Sequence, residues 1–189
     1  MERRGNTMNY QDEKEFASLS DCFCKLTPRN RVLEIGSMHG ETLTQWMNNM
    51  SPKEGKIISI DLLVPESDSR YWQQKYGHEV MWPKIAYTNG IQLYCLNANS
   101  RDPRVIEFVK SELPEIDFLF IDGGHDYETC MADWNHYSSL VRWGGIVAFH
   151  DLGKEWPDVR TVWERVRSGH NSMEFVQSSE RWGIGVLYM

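Results

Sequence analysis

The chain has 189 residues, enough to bury one substantial core but too few for two independent catalytic units, so a single α/β domain is expected. Hydrophobic residues make up 41% and charged residues 25%, a globular profile that excludes intrinsic disorder, and no apolar run reaches the length of a bilayer span, so no membrane partner is expected. A formal net charge of -7 argues against nucleic acid as a partner, because neutralising phosphates needs an excess of Lys and Arg.

Cys22, Cys24, Cys95 and Cys130 show no CxxC spacing and follow no apolar signal segment, which fits reduced thiols in the cytoplasm. Cys22 and Cys24 could form half of a metal site only with two further ligands from elsewhere, so a structural or surface role is the simpler reading. Residues 1–10 lack periodicity and read as a flexible leader, leaving 11–189 as the domain. Residues 13–26 carry Phe16, Leu19, Phe23 and Leu26 at helical spacing, the mark of a helix leaning on a sheet.

Beyond it, short β-rich runs alternate with amphipathic stretches, the pattern of a parallel sheet covered by helices on both faces. Strands are expected over 31–35, 56–61, 91–96, 116–121, 145–149, 173–177 and 183–188, and helices over 41–49, 103–113, 127–141 and 159–168. In the helix over 127–141, Met131, Trp134 and Val141 should face inward and Glu128, Asp133 and His136 should face water. Gly144 and Gly145 then free the backbone to leave that helix. Only residues 178–181 join the last two strands, too few for a helical crossover, so these strands should pair as an antiparallel hairpin. The expected fold is a Rossmann-like, seven-stranded, mostly parallel sheet with an antiparallel C-terminal strand. The connection over 63–90, rich in Tyr and Trp, reads equally as a lid or pocket wall and as a helix plus loop covering the sheet.

The segment Arg31-Val-Leu-Glu-Ile-Gly36-Ser-Met-His-Gly40 places a buried strand before a turn with two glycines, where an adenosyl group could approach the main chain at a helix amino terminus. A dinucleotide fingerprint starting at Gly36 would want glycine at 38 and 41, which hold Met38 and Glu41, so a pyrophosphate cradle is disfavoured. A sulfonium ligand needs no such cradle, and Glu34 suits its positively charged amino acid moiety. Asp61 ends the second strand, the position from which a carboxylate accepts both ribose hydroxyls in a Rossmann site. Alone it would read as a turn or cap residue, but Gly36 and Gly40 reverse that balance.

Glu34-x-Gly36-x-x-x-Gly40 with Asp61 resembles the first two motifs of class I S-adenosylmethionine-dependent methyltransferases. Asn97-Ala-Asn-Ser-Arg-Asp-Pro103 resembles their adenine-closing segment, with Ala98 in place of the usual Gly, and implies Asn99 and Ser100 as adenine-side residues. Phe120-Ile-Asp-Gly-Gly-His-Asp-Tyr127, then Asp133, then Trp143-Gly-Gly-Ile-Val-Ala-Phe-His-Asp151 resembles the signature of the macrocin O-methyltransferase and cephalosporin-hydroxylase-like group. The resemblance implies S-adenosylmethionine as cofactor, held by Glu34, Gly36, Ser37, Gly40, Asp61, Asn99, Ser100 and Asp122.

Asp122, His150 and Asp151 fall at the ends of neighbouring strands and form a candidate divalent-cation site, for Mg²⁺ or Mn²⁺. His150 departs from the acidic residue of the related metal-dependent enzymes, and a hydrogen-bonded structural pair is the even alternative. Asp122 and His125 are the catalytic candidates, with His125 as the base that takes the acceptor's proton, against a helix-capping role. Trp156 is expected to wall the acceptor pocket and Trp163 to join the core.

The leading expectation is methyl transfer to a hydroxyl of a small molecule, a sugar or other secondary metabolite, by a cytoplasmic enzyme that is open to homo-oligomerisation. A non-catalytic nucleotide-binding or scaffold protein of the same fold is the alternative. An oxidoreductase or hydroxylase ranks third.

Overall fold

The computed structural model describes residues 12–51, 54–177 and 181–189. The expected leader over 1–10, and most of the connection over 178–181, lie outside the described residues. In chain order the elements are α1 (Glu13–Lys25), β1 (Arg31–Ile35), α2 (Glu41–Asn49), β2 (Lys56–Asp61), α3 (Tyr71–Tyr76), a π-helical turn (Gly77–Met81), α4 (Trp82–Asn89) and β3 (Gln92–Asn97). There follow α5 (Pro103–Glu112), β4 (Ile116–Ile121), α6 (Tyr127–Tyr137), a 3₁₀ turn (Ser138–Leu140), β5 (Val141–Phe149), α7 (Pro157–Val166), β6 (Asn171–Phe175) and β7 (Ile184–Tyr188).

The seven strands lie in the order β3-β2-β1-β4-β5-β7-β6. β1 to β5 are parallel, while β7 runs antiparallel to both β5 and β6. The reversal of strand order on either side of β1 opens a crevice at the carboxyl ends of β1 and β4, the place where open α/β sheets bind ligands.

Strict alternation along the central strands divides the core in two. Leu33, Ile35, Leu119, Ile121, Val147 and Phe149 face α5, α6 and α7. Val32, Phe118, Phe120, Ile146 and Ala148 face α1, α2 and α4. Every second residue thus belongs to a different layer, which is why these strands read as continuous apolar runs. Asp12, Asp102 and Asp126 cap α1, α5 and α6 through side-chain bonds to amides of the first turn.

Several expectations are corrected. The helix expected over 127–141 ends at Tyr137, and Val141 opens β5 instead, so Gly144 and Gly145 lie inside a strand, near a register shift against β4. Cys130, Asp133 and Tyr137 form the buried seam of α6, while Met131 and Trp134 pack half-buried beside it. Asp133, expected to face water, is buried: the turn of α6 rotates it under the loop after β4, 3.6 Å from where a Cβ on Gly123 would stand. The segment over 63–90 is mostly helical. Its Trp82 is fully buried, whereas Trp72 and Tyr87 are exposed. Cys22 is buried and Cys24 exposed, so the two thiols diverge. Trp163 is buried in the core as expected, 5.9 Å from the Phe149 ring.

At the opposite, amino-terminal end of the sheet, the buried Asp117 carboxylate ties three strands together. It accepts from the Asn30 and Arg31 amides at 3.0 Å, from Arg31 Nη2 at 2.8 Å and from Arg142 Nε at 2.6 Å. Burial alone would raise its pKa, but the two guanidiniums and the amide donors outweigh it and hold it below the usual range. Replacing Asp117 with Ala removes the acceptor shared by two guanidiniums and two amides, leaving Arg31 with Glu115 and Arg142 with main-chain carbonyls, and should cost about 3 kcal/mol, measurable by urea unfolding; a loss no greater than that of a surface carboxylate would refute this.

Asp133 behaves in the opposite sense. Its two oxygens make no hydrogen bond among the described residues, and burial lifts its pKa to about 6 against the pull of nearby Ser100 and Arg101. A folded pKa above the unfolded one contributes stability at low pH that is lost as pH rises through about 6. Asp133→Asn should therefore gain on the native chain between pH 4 and pH 8, by up to roughly 3 kcal/mol. Urea midpoints at the two pH values test this, and a pH-independent difference contradicts it.

Candidate active cleft

A cavity of about 660 Å³ opens at the carboxyl ends of β1, β2, β4 and β5. Gly36, Ser37, Asp61, Asn99, Ser100, Asp122, His125, His150, Asp151 and Trp156 all border it, so the strand ends gather most of the residues singled out in the sequence.

The bend after β1 depends on Gly36, whose φ is +87° and whose missing Cβ would stand 1.9 Å from the Asp122 carbonyl oxygen. Only glycine lets the two strand ends approach so closely. The bend is pinned by Gly36 N–H to Ile60 O and Asp122 N–H to Ile35 O, both 2.8 Å. Ser37 Oγ lies 2.6 Å from Ser59 Oγ beneath it.

Asp61 borders the cavity with its carboxylate already oriented. Oδ2 accepts from Met38 N at 2.6 Å and from Gln74 Nε2 at 2.9 Å, and Oδ1 accepts from Leu62 N at 2.8 Å. Burial raises its pKa, opposed by those donors. Gln74, on α3, also accepts from Val64 N, so the 63–90 segment holds one wall of the cavity as well as covering the sheet.

Two expected cofactor residues fall elsewhere. Glu34 does not border the cavity: strand alternation turns it under α2, where Oε1 accepts from Thr42 Oγ1 at 2.6 Å and burial pushes its pKa up to about 8. Gly40 also lies outside. Its φ is +71°, and a Cβ there would stand 2.1 Å from the Trp82 ring, so this glycine answers to core packing.

At the far end stands a cluster of ionisable groups. His150 is buried, with Nδ1 3.0 Å from Asp122 Oδ1 and 3.2 Å from Asp151 Oδ1. Burial pulls its pKa down, but the two carboxylates overcome that and push it up to about 10. Asp151 is held well below the usual carboxylate range: desolvation is outweighed by bonds to His125 and His150. Burial moves Asp122 the other way, upward. His125 Nε2 lies 2.8 Å from Asp151 Oδ2, and its ring stacks on Trp156 with centroids 3.9 Å apart and planes at 22°. Asp151 itself has a φ of +63°, an uncommon conformation for a residue with a side chain.

The ligand atoms that cluster differ in one member from the expected group of Asp122, His150 and Asp151. Among the described residues, Asp122, His125 and Asp151 bring ligand atoms within 4.8 Å of one another, and His150 is not in the group. His150 also borders the cavity, but its Nδ1 is engaged by Asp122 and Asp151 and its ring lies edge-on to Phe120 with centroids 6.3 Å apart, while Asp151 Oδ2 reaches His125. Two carboxylates and one imidazole are a donor set that fits Mn²⁺ better than Mg²⁺, which favours oxygen throughout.

Sequence patterns missed Gln74, Arg70, Glu155, Arg181 and Trp182, which also border the cavity. They sit on connections without a motif, and no spacing signals them.

A family model described as a methyltransferase domain matches residues 33–152. An uncharacterized protein of Acanthamoeba polyphaga mimivirus is 27% identical over 120 residues, which cover 63% of this chain and 50% of that protein; the match thus spans half the length of that relative. Among solved structures, a calicheamicin methyltransferase superposes with a TM-score of 0.66 at 14% identity, over 93% of this chain and 78% of its own. The O-methyltransferase TomG of Streptomyces achromogenes, involved in tomaymycin synthesis and solved in complex with S-adenosylmethionine, gives 0.58 at 13% identity, over 92% and 80%. No helix among the described residues is long and apolar enough to cross a membrane. With its shared region running from β1 to the loop after β5, the chain belongs to the methyltransferase-domain family and has the class I S-adenosylmethionine-dependent methyltransferase fold.

Proposed function

We propose that this chain transfers the methyl group of S-adenosylmethionine to a hydroxyl of a small molecule. The observation that carries this reading is one cavity with an adenosyl-compatible bend and carboxylate at one end and a His125–Asp151 pair at the other. Gly36 and Ser37 would let the cofactor lie against the main chain, Asp61 would accept the ribose hydroxyls, and Asn99 and Ser100 would border the adenine. The sulfonium supplies an activated methyl group, so the protein's task is positioning and deprotonation.

His125 fits the role of base. With Nε2–H donating to Asp151, the ring's other nitrogen, Nδ1, takes the acceptor's hydroxyl proton as the oxygen bonds to the methyl carbon and the carbon–sulfur bond breaks. Asp151 orients the ring and stabilises the imidazolium that forms, and Trp156 fixes its plane. Small-molecule neighbours such as the calicheamicin methyltransferase and TomG support the choice of acceptor.

A second reading rests on the same three residues. Asp122, His125 and Asp151 could hold a divalent cation that orients the acceptor oxygen. The two uses compete, because a cation on His125 Nε2 displaces its bond to Asp151.

Calorimetry with S-adenosylmethionine and S-adenosylhomocysteine should give dissociation constants between roughly 1 µM and 1 mM, and Asp61→Ala should weaken both by about 10- to 100-fold. No binding of either at millimolar concentration removes the proposal. With transfer measured on a panel of hydroxylated small molecules, His125→Ala should lower kcat by about 10²–10⁴ while leaving cofactor affinity unchanged. Treatment with EDTA separates the two readings: retained activity favours the dyad, and loss restored by Mn²⁺ favours the cation.

A further inference from the structure

We infer that Glu15, on α1, is the positioning residue for an acceptor-specificity wall made by Arg181 and Trp182, an inference that rests on the methyl-transfer reading above. Glu15 is fully buried, an unusual place for a carboxylate. Its Oε1 accepts the Gln177 amide, and its Oε2 accepts the Gly183 amide at 2.8 Å. These two main-chain donors bracket the turn between β6 and β7. One side chain therefore clamps both ends of that turn onto α1.

The clamped turn reaches the reactive end of the cavity. Gly183 O accepts from Leu152 N at 3.1 Å, one residue beyond Asp151. The turn lies against Gly153 so closely that a Cβ there would stand 2.7 Å from the Arg181 carbonyl carbon. Arg181 Nε donates to Glu155 Oε2 at 3.0 Å, beside the Trp156 that stacks on His125. Arg181 and Trp182 both border the cavity, and Trp182 holds a φ of +56°, a conformation a bulky residue keeps only when its surroundings impose it.

The family match runs over 33–152, so the cofactor end of the cavity lies inside the shared region. Glu15, Glu155, Trp156, Arg181 and Trp182 all lie outside it. A wall built from such residues is where one member of a family differs from another in what it accepts, and Glu15 sets its position without touching the ligand.

The test compares the full native chain with Glu15→Ala, Glu15→Gln and Trp182→Ala. Hydrogen exchange at the Gln177 and Gly183 amides should accelerate by about 100-fold in Glu15→Ala, with β1 and β4 unaffected. S-adenosylhomocysteine affinity, by calorimetry, should stay within about threefold of native. With tritiated methyl donor and a hydroxylated acceptor from the panel, KM for the acceptor should rise about tenfold or more in both Glu15→Ala and Trp182→Ala, with kcat changing less. Glu15→Gln, which keeps one carbonyl acceptor, should fall between. Unchanged exchange in Glu15→Ala, or an acceptor KM that Trp182→Ala leaves alone, overturns the inference. A native chain that binds no S-adenosylhomocysteine refutes the methyl-transfer reading and the acceptor role with it, while exchange still decides whether the clamp exists.

Discussion

The close approach of β1 and β4 at their carboxyl ends is the constraint on which the rest of the structure depends. Gly36 sits against the Asp122 carbonyl where no side chain fits, and two main-chain bonds of 2.8 Å lock it there. That contact opens the bend into which an adenosyl group can descend, and it also delivers Asp122 to the floor of the same cavity. The end of the cavity at Gly36 and Asp61 and the end at His125 and Asp151 are thereby joined through one backbone contact rather than through a chain of side chains.

Electrostatics at the reactive end follow from placing three ionisable groups on strand ends with little water around them. Buried His150 sits between Asp122 and Asp151, whose carboxylates favour its charged form against the cost of burial. Asp151, freed of the need for another counter-ion, also receives His125. This gives a two-carboxylate, two-imidazole arrangement in which one histidine is structural and buried while the other faces the cavity with its ring held by Trp156. In the proposed function, metal assistance and unassisted base catalysis would draw on the same residues, because Asp151, which pairs with His125, also belongs to the group able to hold a cation.

The chain divides its labour along the sequence. Residues 33–152, matched by the family model, build the bend, the Asp61 carboxylate and the cluster of Asp122, His125, His150 and Asp151. The helix before β1 and the hairpin after α7 contribute no motif, yet Glu15 bonds the Gly183 amide, and Arg181 and Trp182 border the cavity beside His125 and Trp156. A buried carboxylate that accepts from the Gln177 and Gly183 amides holds those two residues firmly, because leaving either amide without its partner in the interior is costly.

The sequence by itself determined the sheet, its antiparallel final strand, the bend at Gly36, the strand-end positions of Asp61, Asp122 and Asp151, and the place of His125 on the turn before α6. Those features follow from local rules: short continuous apolar runs between amphipathic stretches, glycine at a turn that other residues rarely adopt, and polar side chains where the chain leaves a strand. Only tertiary structure decided that Glu34 turns under α2, that Gly40 serves Trp82, that Asp133 is buried, and that His125 comes within reach of Asp122 and Asp151. Each of these depends on which distant segment packs against a given face, and spacing along the chain carries no record of that. The acceptor wall was invisible for the same reason, since its parts meet only when α1, the loop after β5 and the final hairpin come together in space.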